Sequence, residues 1–326
     1  MPNRLQTFLF LFVVIVLVSF YTIVDAKDLN KRTFANQPSL NQTPMPQPEI
    51  DFTFSGQIAY IDLYGVLWLI RGDTGQRQRL SAEEPTLDPN TDRIIGFSPT
   101  GEHLAICAYN PFEENWRVYL RTLPENQLLS PDNLPCRIAW SPDGQQLVYS
   151  KGESIYIYDI SSEQHTEIVD SINDLDFIAS EFGLGQPTWS PNGRWISFRA
   201  QQLEGSGSLW IYDTQIGDAF QWDEPVGVKL SWSPDGAYFI YDTITYVGVP
   251  GSQIRAGDPL TRKSRLLYSD PDLISQGPIL SPTASWIAFT QAEMDLWPTT
   301  LVWMKADGSE APRGHLGHNI SPRAWS

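Results

Sequence analysis

Four histidines and two cysteines are all that 326 residues provide in the way of soft metal ligands and versatile proton carriers. No Cys-x-x-Cys pair occurs, which argues against a zinc or redox centre of the usual spacing. Charged residues make up only 18% of the chain, and basic ones are outnumbered 38 to 22, for a net charge of −16. A surface of that sign does not bind phosphate backbones, so nucleic acid is excluded as a partner. No Gly-x-Ser-x-Gly elbow and no phosphate-binding glycine loop is present. After the N-terminus no segment carries apolar residues at helical spacing, which leaves an all-β chain.

What is abundant agrees with that. The chain has 12 Trp, 13 Tyr and 15 Phe, with 25 Pro and 23 Gly. Aromatic residues suit pleated, half-buried surfaces, and scattered Pro and Gly without a short period mark many turns between short strands.

The one long apolar run is Leu5–Val24, interrupted only by Gln6, Thr7, Ser19 and Thr22. At 1.5 Å per residue it spans about 30 Å, one bilayer core. Two readings stay open: an uncleaved membrane anchor, or a signal peptide cut after Ala26, where Val24-Asp25-Ala26 puts suitable residues before the scissile bond. Arg4 precedes the run while Lys27, Lys31 and Arg32 follow it, a distribution that by itself favours a cytoplasmic C-terminal part. Residues 27–51 are rich in Asn, Gln, Pro, Thr and Ser. Too little apolar surface is available there to fold, so they read as a tether. The folded domain is expected over 52–326.

Within that domain one phrase returns. It reads Phe97-Ser-Pro-Thr-Gly101, Trp140-Ser-Pro-Asp-Gly144, Trp189-Ser-Pro-Asn-Gly193, Trp232-Ser-Pro-Asp-Gly236 and, degraded, Leu280-Ser-Pro-Thr-Ala284. The serines are spaced by 43, 49, 43 and 48 residues. Ser-Pro-Asp-Gly suits a type I turn: proline sets φ at the second position, Asp caps the local backbone, and Gly closes. An alternating strand follows each turn, as in Tyr238-Phe-Ile-Tyr241, then a third strand such as Ile155-Tyr-Ile-Tyr-Asp159 or Leu209-Trp-Ile-Tyr-Asp213. A polar fourth strand closes the unit, as in Gln76–Leu80 and Lys263–Leu267. Four antiparallel strands at this period make a propeller blade.

Six blades are expected. Arg323-Ala-Trp-Ser326 aligns on Ile138-Ala-Trp-Ser141 and its preceding arginine, and Ser326 stands 45 residues after Ser281. The C-terminal residues would thus form the innermost strand of the first blade, and residues near 56–81 its other three, leaving no open edge.

These motifs resemble the WD40-like repeats of the TolB type, whose signature is Trp-Ser-Pro-Asp-Gly with Leu-Trp/Tyr-Ile-Tyr-Asp one strand later. The resemblance covers about residues 51–326. It implies a propeller exposed outside the cytoplasm. TolB proteins carry an α/β domain before the propeller where this chain has the tether, and prolyl oligopeptidase relatives carry a hydrolase domain for which no stretch is left.

Candidate chemistry is sparse. His103 and His165 fall at strand starts, and His315-Leu-Gly-His318 lies in a late loop without an acidic neighbour, short of the three or four converging ligands a metal needs. Asp143, Asn192 and Asp235 recur at one position, but the turn accounts for them. No cofactor, metal or catalytic set is expected. Counting three residues back from each Trp-equivalent gives Ile94, Arg137, Gln186, Lys229, Gly277 and Pro322. Strand alternation puts these on the face opposite the Trp, near one mouth of the channel, where Arg137 and Lys229 would attract an anion or an acidic peptide, or pair with neighbouring blades. Two insertions interrupt the repeat: residues 170–186, with Phe177, Ile178 and Phe182, and residues 243–257, with Tyr246. Long loops on a rigid ring suit recognition, and Phe177, Phe182 and Tyr246 are candidate anchors, or simply pack on the next blade. Cys107 and Cys136 could pair if the domain is exported.

The expectation is a non-catalytic scaffold or accessory subunit. It would be held at the bacterial cytoplasmic membrane by its N-terminal segment with the propeller outside, or secreted after cleavage at Ala26. Its partners would be membrane or envelope proteins. Alternatives are an envelope enzyme acting on carbohydrate or peptide, and a sensor of a small anion.

Overall fold

In the computed structural model the described residues are 56–80, 87–88, 91–110, 113–123, 125–132, 134–152, 154–170, 187–201, 207–222, 226–243, 252–293 and 300–318. The expected N-terminal segment, tether and C-terminal strand 323–326 lie outside them, as do Phe177, Phe182, Gln186 and Tyr246. No helix among the described residues is long and apolar enough to cross a membrane.

The strands form six antiparallel sheets, each a simple meander. Sheet 1 comprises Gln57–Ile61, Leu67–Arg71 and Arg77–Arg79. Sheet 2 comprises Arg93–Phe97, His103–Asn110, Asn115–Thr122 and Leu128–Leu129, and sheet 3 comprises Ile138–Trp140, Gln146–Lys151, Ser154–Asp159 and Gln164–Val169. Sheet 4 is built from Thr188–Trp189, Trp195–Gln201, Gly207–Asp213 and Asp218–Gln221. Sheet 5 is built from Val226–Trp232, Phe239–Thr243, Gln253–Asp258 and Lys263–Ser269, and sheet 6 from Leu273–Leu280, Trp286–Glu293, Thr300–Lys305 and Arg313–His318. Sheet 1 has three strands among the described residues and the other five have four. His315 and His318 belong to the outer strand of sheet 6 rather than to a loop.

Period-two alternation explains how the sheets stack. In the second strand of sheet 2, Leu104 and Ile106 join Leu67 and Leu69 of sheet 1, while Ala105 joins Ile138 and Leu147 of sheet 3. Val148 then meets Ile196 and Phe198 of sheet 4, and Trp195 meets Phe239 and Tyr241 of sheet 5. Ile240 meets Ile287 and Phe289 of sheet 6. Strands buried on both faces read as near-continuous apolar runs, which is what Leu104–Ala108 and Phe239–Tyr241 are. Among the described residues the core is five apolar layers between consecutive sheets.

The repeated turns form as expected. In Ser141–Gly144 the Gly144 N–H donates to the Ser141 carbonyl at 2.9 Å. Ser141 Oγ donates to Asp143 Oδ1 at 2.5 Å and accepts from the Gln146 N–H at 2.9 Å. Asn192 and Asp235 repeat the arrangement, bonded by Ser190 and Ser233. Successive turns also touch: Asn192 Nδ2 donates to the Gly236 carbonyl at 2.9 Å. A Cβ at Gly236 would lie 2.5 Å from Asn192 Cγ, and its φ is +68°, so only glycine fits.

Candidate functional site

Because every sheet is a meander, its connections alternate between two ends. The Ser-Pro turns and the hairpins between third and fourth strands share one end, here the turn end. The connections between second and third strands, and those from one sheet to the next, share the other, here the loop end. The strands that flank both long insertions end and resume at the loop end.

Arg137 is exposed at the loop end, where the chain enters the inner strand of sheet 3. The residue before it is tied down, since Cys136 is disulfide-bonded to Cys107 in sheet 2 with their Cα atoms 5.3 Å apart. This joins one repeat to the start of the next. Lys229 lies in the inner strand of sheet 5, between Val226 and Leu230, where the register breaks. Gly277, at the equivalent position in sheet 6, lies in another break, between Gln276 and Ile279, and Ile94 borders one between Ile94 and Gly96. Simple alternation therefore does not run through this position in sheets 2, 5 and 6. Ile94 packs in the same layer as Phe97 rather than on the opposite face. Bulges re-aim side chains and backbone groups next to binding sites.

One such group is the Gly277 N–H. Gly277 has φ +62°, and its N–H donates to Asp242 Oδ1 at 3.3 Å. Asp242, in the second strand of sheet 5, is 3% exposed. Burial pushes its carboxyl up to about 6, against the lowering effects of the Gly277 N–H, its own backbone and the Arg199 charge. Arg199, in the second strand of sheet 4, is pulled below the ordinary guanidinium value by burial, with Asp242 acting the other way. Three consecutive sheets thus meet through an arginine, a carboxylate and a backbone N–H. Beside them Ser252 Oγ donates to the Ser275 carbonyl at 2.8 Å and accepts from its N–H, and Gln291 Nε2 donates to Ser275 Oγ at 3.3 Å. The sequence signal for this cluster is a charge terminating an apolar strand: Phe198-Arg199 and Tyr241-Asp242.

The loop end also presents apolar side chains to solvent. Leu63 and Tyr64, in the first hairpin of sheet 1, are 90% and 79% exposed. Tyr109 and Trp116 of sheet 2, cross-strand partners with ring centroids 5.7 Å apart, are 42% and 44% exposed. Among the described residues no group of three His, Cys, Asp or Glu side chains is arranged to hold a metal. His165 is occupied at the outer strand of sheet 3, its Nδ1 2.8 Å from Tyr149 Oη.

No family model and no curated protein matches the chain. Solved structures do. Dipeptidyl peptidase 4 from Porphyromonas gingivalis is 12% identical with a TM-score of 0.55, over 81% of this chain and 45% of the peptidase. Oligogalacturonate lyase from Vibrio parahaemolyticus is 12% identical with a TM-score of 0.54, over 75% of this chain and 69% of the lyase. TolB from Acinetobacter baumannii is 18% identical with a TM-score of 0.48, over 78% of this chain and 62% of TolB. Together with the six stacked sheets, the peptidase and lyase likenesses show a β-propeller fold. At such identities they show the fold alone.

Proposed function

We propose that this chain is a non-catalytic binding protein, a scaffold or accessory subunit whose loop end receives another protein. The observation that carries the reading is the two exposed pairs Leu63–Tyr64 and Tyr109–Trp116 at the end from which the connections bearing both long insertions leave, whereas Ile216, Leu260 and Trp286 are exposed at the turn end without such a pairing. Rigid rings recognise partners through such loops, and aromatic anchors contribute most of the affinity in protein interfaces.

The domain is proposed to work outside the cytoplasm, held by the apolar segment Leu5–Val24 or released after Ala26. The Cys107–Cys136 bond supports that side of the membrane over the one favoured by Lys27, Lys31 and Arg32, because protein disulfides persist in oxidising compartments. Closure of sheet 1 by residues 323–326 belongs to the same proposal.

The test is purification of the full chain from membranes in mild detergent, with quantification of co-purifying polypeptides. A stoichiometric protein partner is expected. Recovery of the chain alone under every mild condition would overturn the scaffold reading.

A further inference from the structure

Leu63 and Tyr64 are not loosely exposed. Asp62 Oδ1 accepts the Tyr64 and Val66 N–H groups, each at 2.9 Å, and Oδ2 accepts Trp68 Nε1 at 2.9 Å. The turn is bolted to the sheet while its two apolar side chains face water. Tyr109 and Trp116 are similarly held, by strand pairing and by Asp92 Oδ1, which accepts the Tyr109 N–H at 3.1 Å. A turn whose backbone is already fixed loses less conformational freedom on binding than a loose one, which favours its side chains as anchors.

The charges around these anchors decide what would cover them. Asp62, Asp88, Asp92, Glu113, Glu114 and Asp132 stand at the loop end of sheets 1 and 2. The cations there are Arg79, whose charge acts on Asp62, Arg93, Arg137 and Arg117, and Arg117 is already engaged by Glu113 at 2.7 Å and Asp132 at 3.5 Å, so acids still outnumber bases by six to four. The surface is therefore acidic on balance, in a chain of net charge −16. Such a surface repels a second copy of itself and an anionic lipid surface, and attracts a basic polypeptide.

We infer that the loop end of sheets 1 and 2 docks a basic polypeptide segment whose apolar side chains cover Leu63, Tyr64, Tyr109 and Trp116. This rests on the scaffold reading and adds to it the place and the chemistry of the partner.

The probe is a fluorescent peptide alternating Lys with Leu and Trp, alongside one with Glu for Lys and one with Ser for Leu and Trp. Wild type should bind the first, more weakly as salt rises, and should bind the other two at least tenfold more weakly. The triple variant L63S/Y64S/W116S, shown by its melting curve to be folded, should bind the first peptide at least tenfold more weakly than wild type. Equal binding by wild type and variant would overturn the inference, reducing the effect to unspecific attraction by the acidic chain. No binding of any peptide would overturn it too. So would a concentration-dependent dimer in sedimentation, or binding to phosphatidylglycerol vesicles, that the variant loses. The outcome separates from the scaffold reading: a partner recovered equally by wild type and L63S/Y64S/W116S leaves the scaffold standing and removes only this surface.

Discussion

Replacing Asp242 by Asn should stabilise the domain at neutral pH. The carboxyl titrates near 3.8 when solvated and near 6 in the fold, because burial penalises its charge more than Arg199 and the Gly277 N–H compensate. An acid whose value rises on folding binds protons more readily in the native state. Stability therefore falls as pH climbs from about 4 to about 6 and levels off above that. At about 1.4 kcal/mol per pH unit the charged form costs about 3 kcal/mol at pH 7.5. Asparagine keeps an oxygen for the Gly277 N–H and removes that cost. For a domain of this size the gain is a rise in Tm of roughly 6 °C. Thermal melts of wild type and D242N at pH 4 and pH 7.5 check it: the difference should be present at 7.5 and nearly gone at 4. Equal gains at both values, or a loss at 7.5, would refute the argument that the buried charge is undercompensated.

Other consequences are local. At Ala284, which takes the place of the turn glycine at φ +53°, glycine should raise stability by up to about 1 kcal/mol in denaturant melts. In contrast, G236A should lower it by more than about 1 kcal/mol, since its Cβ would collide with Asn192. The double change C107S/C136S should cost about 3.6 kcal/mol of unfolding free energy, from opening a loop of sequence separation 29. Deleting residues 323–326 should lower the Tm sharply, because the exposed edge of Gln57–Ile61 would lose its proposed fourth strand; wild-type melting of that truncation would refute the closure.

The fold was largely legible because its signals are local. Ser-Pro-Asp-Gly encodes a turn within four residues, and Val148 or Ile240 announces burial on both faces by sitting in an unbroken apolar run. Asp143 was correctly assigned to its turn on the same grounds. The loop-end cluster was not legible, since it depends on contacts between repeats. Arg199, Asp242 and Gly277 are brought together only by stacking three sheets, and by a bulge at Gly277 that alternation does not foresee. Arg137 lies at the loop end, whereas the equivalent Ile94 turns into an apolar layer because the register slips beside it. The exposure of Leu63 and Tyr64 follows from the three bonds to Asp62, which a run of Ile, Asp, Leu and Tyr does not advertise.

The central claim is that partners are received at the loop end. Deuterium uptake of the co-purified complex, compared with the chain alone, tests it directly. Protection should appear at 62–66, 109–116 and 130–137, with the Ser-Pro turns 98–101, 141–144, 190–193 and 233–236 unchanged. Protection confined to those turns, with the loop end exchanging as in the free chain, would contradict the account.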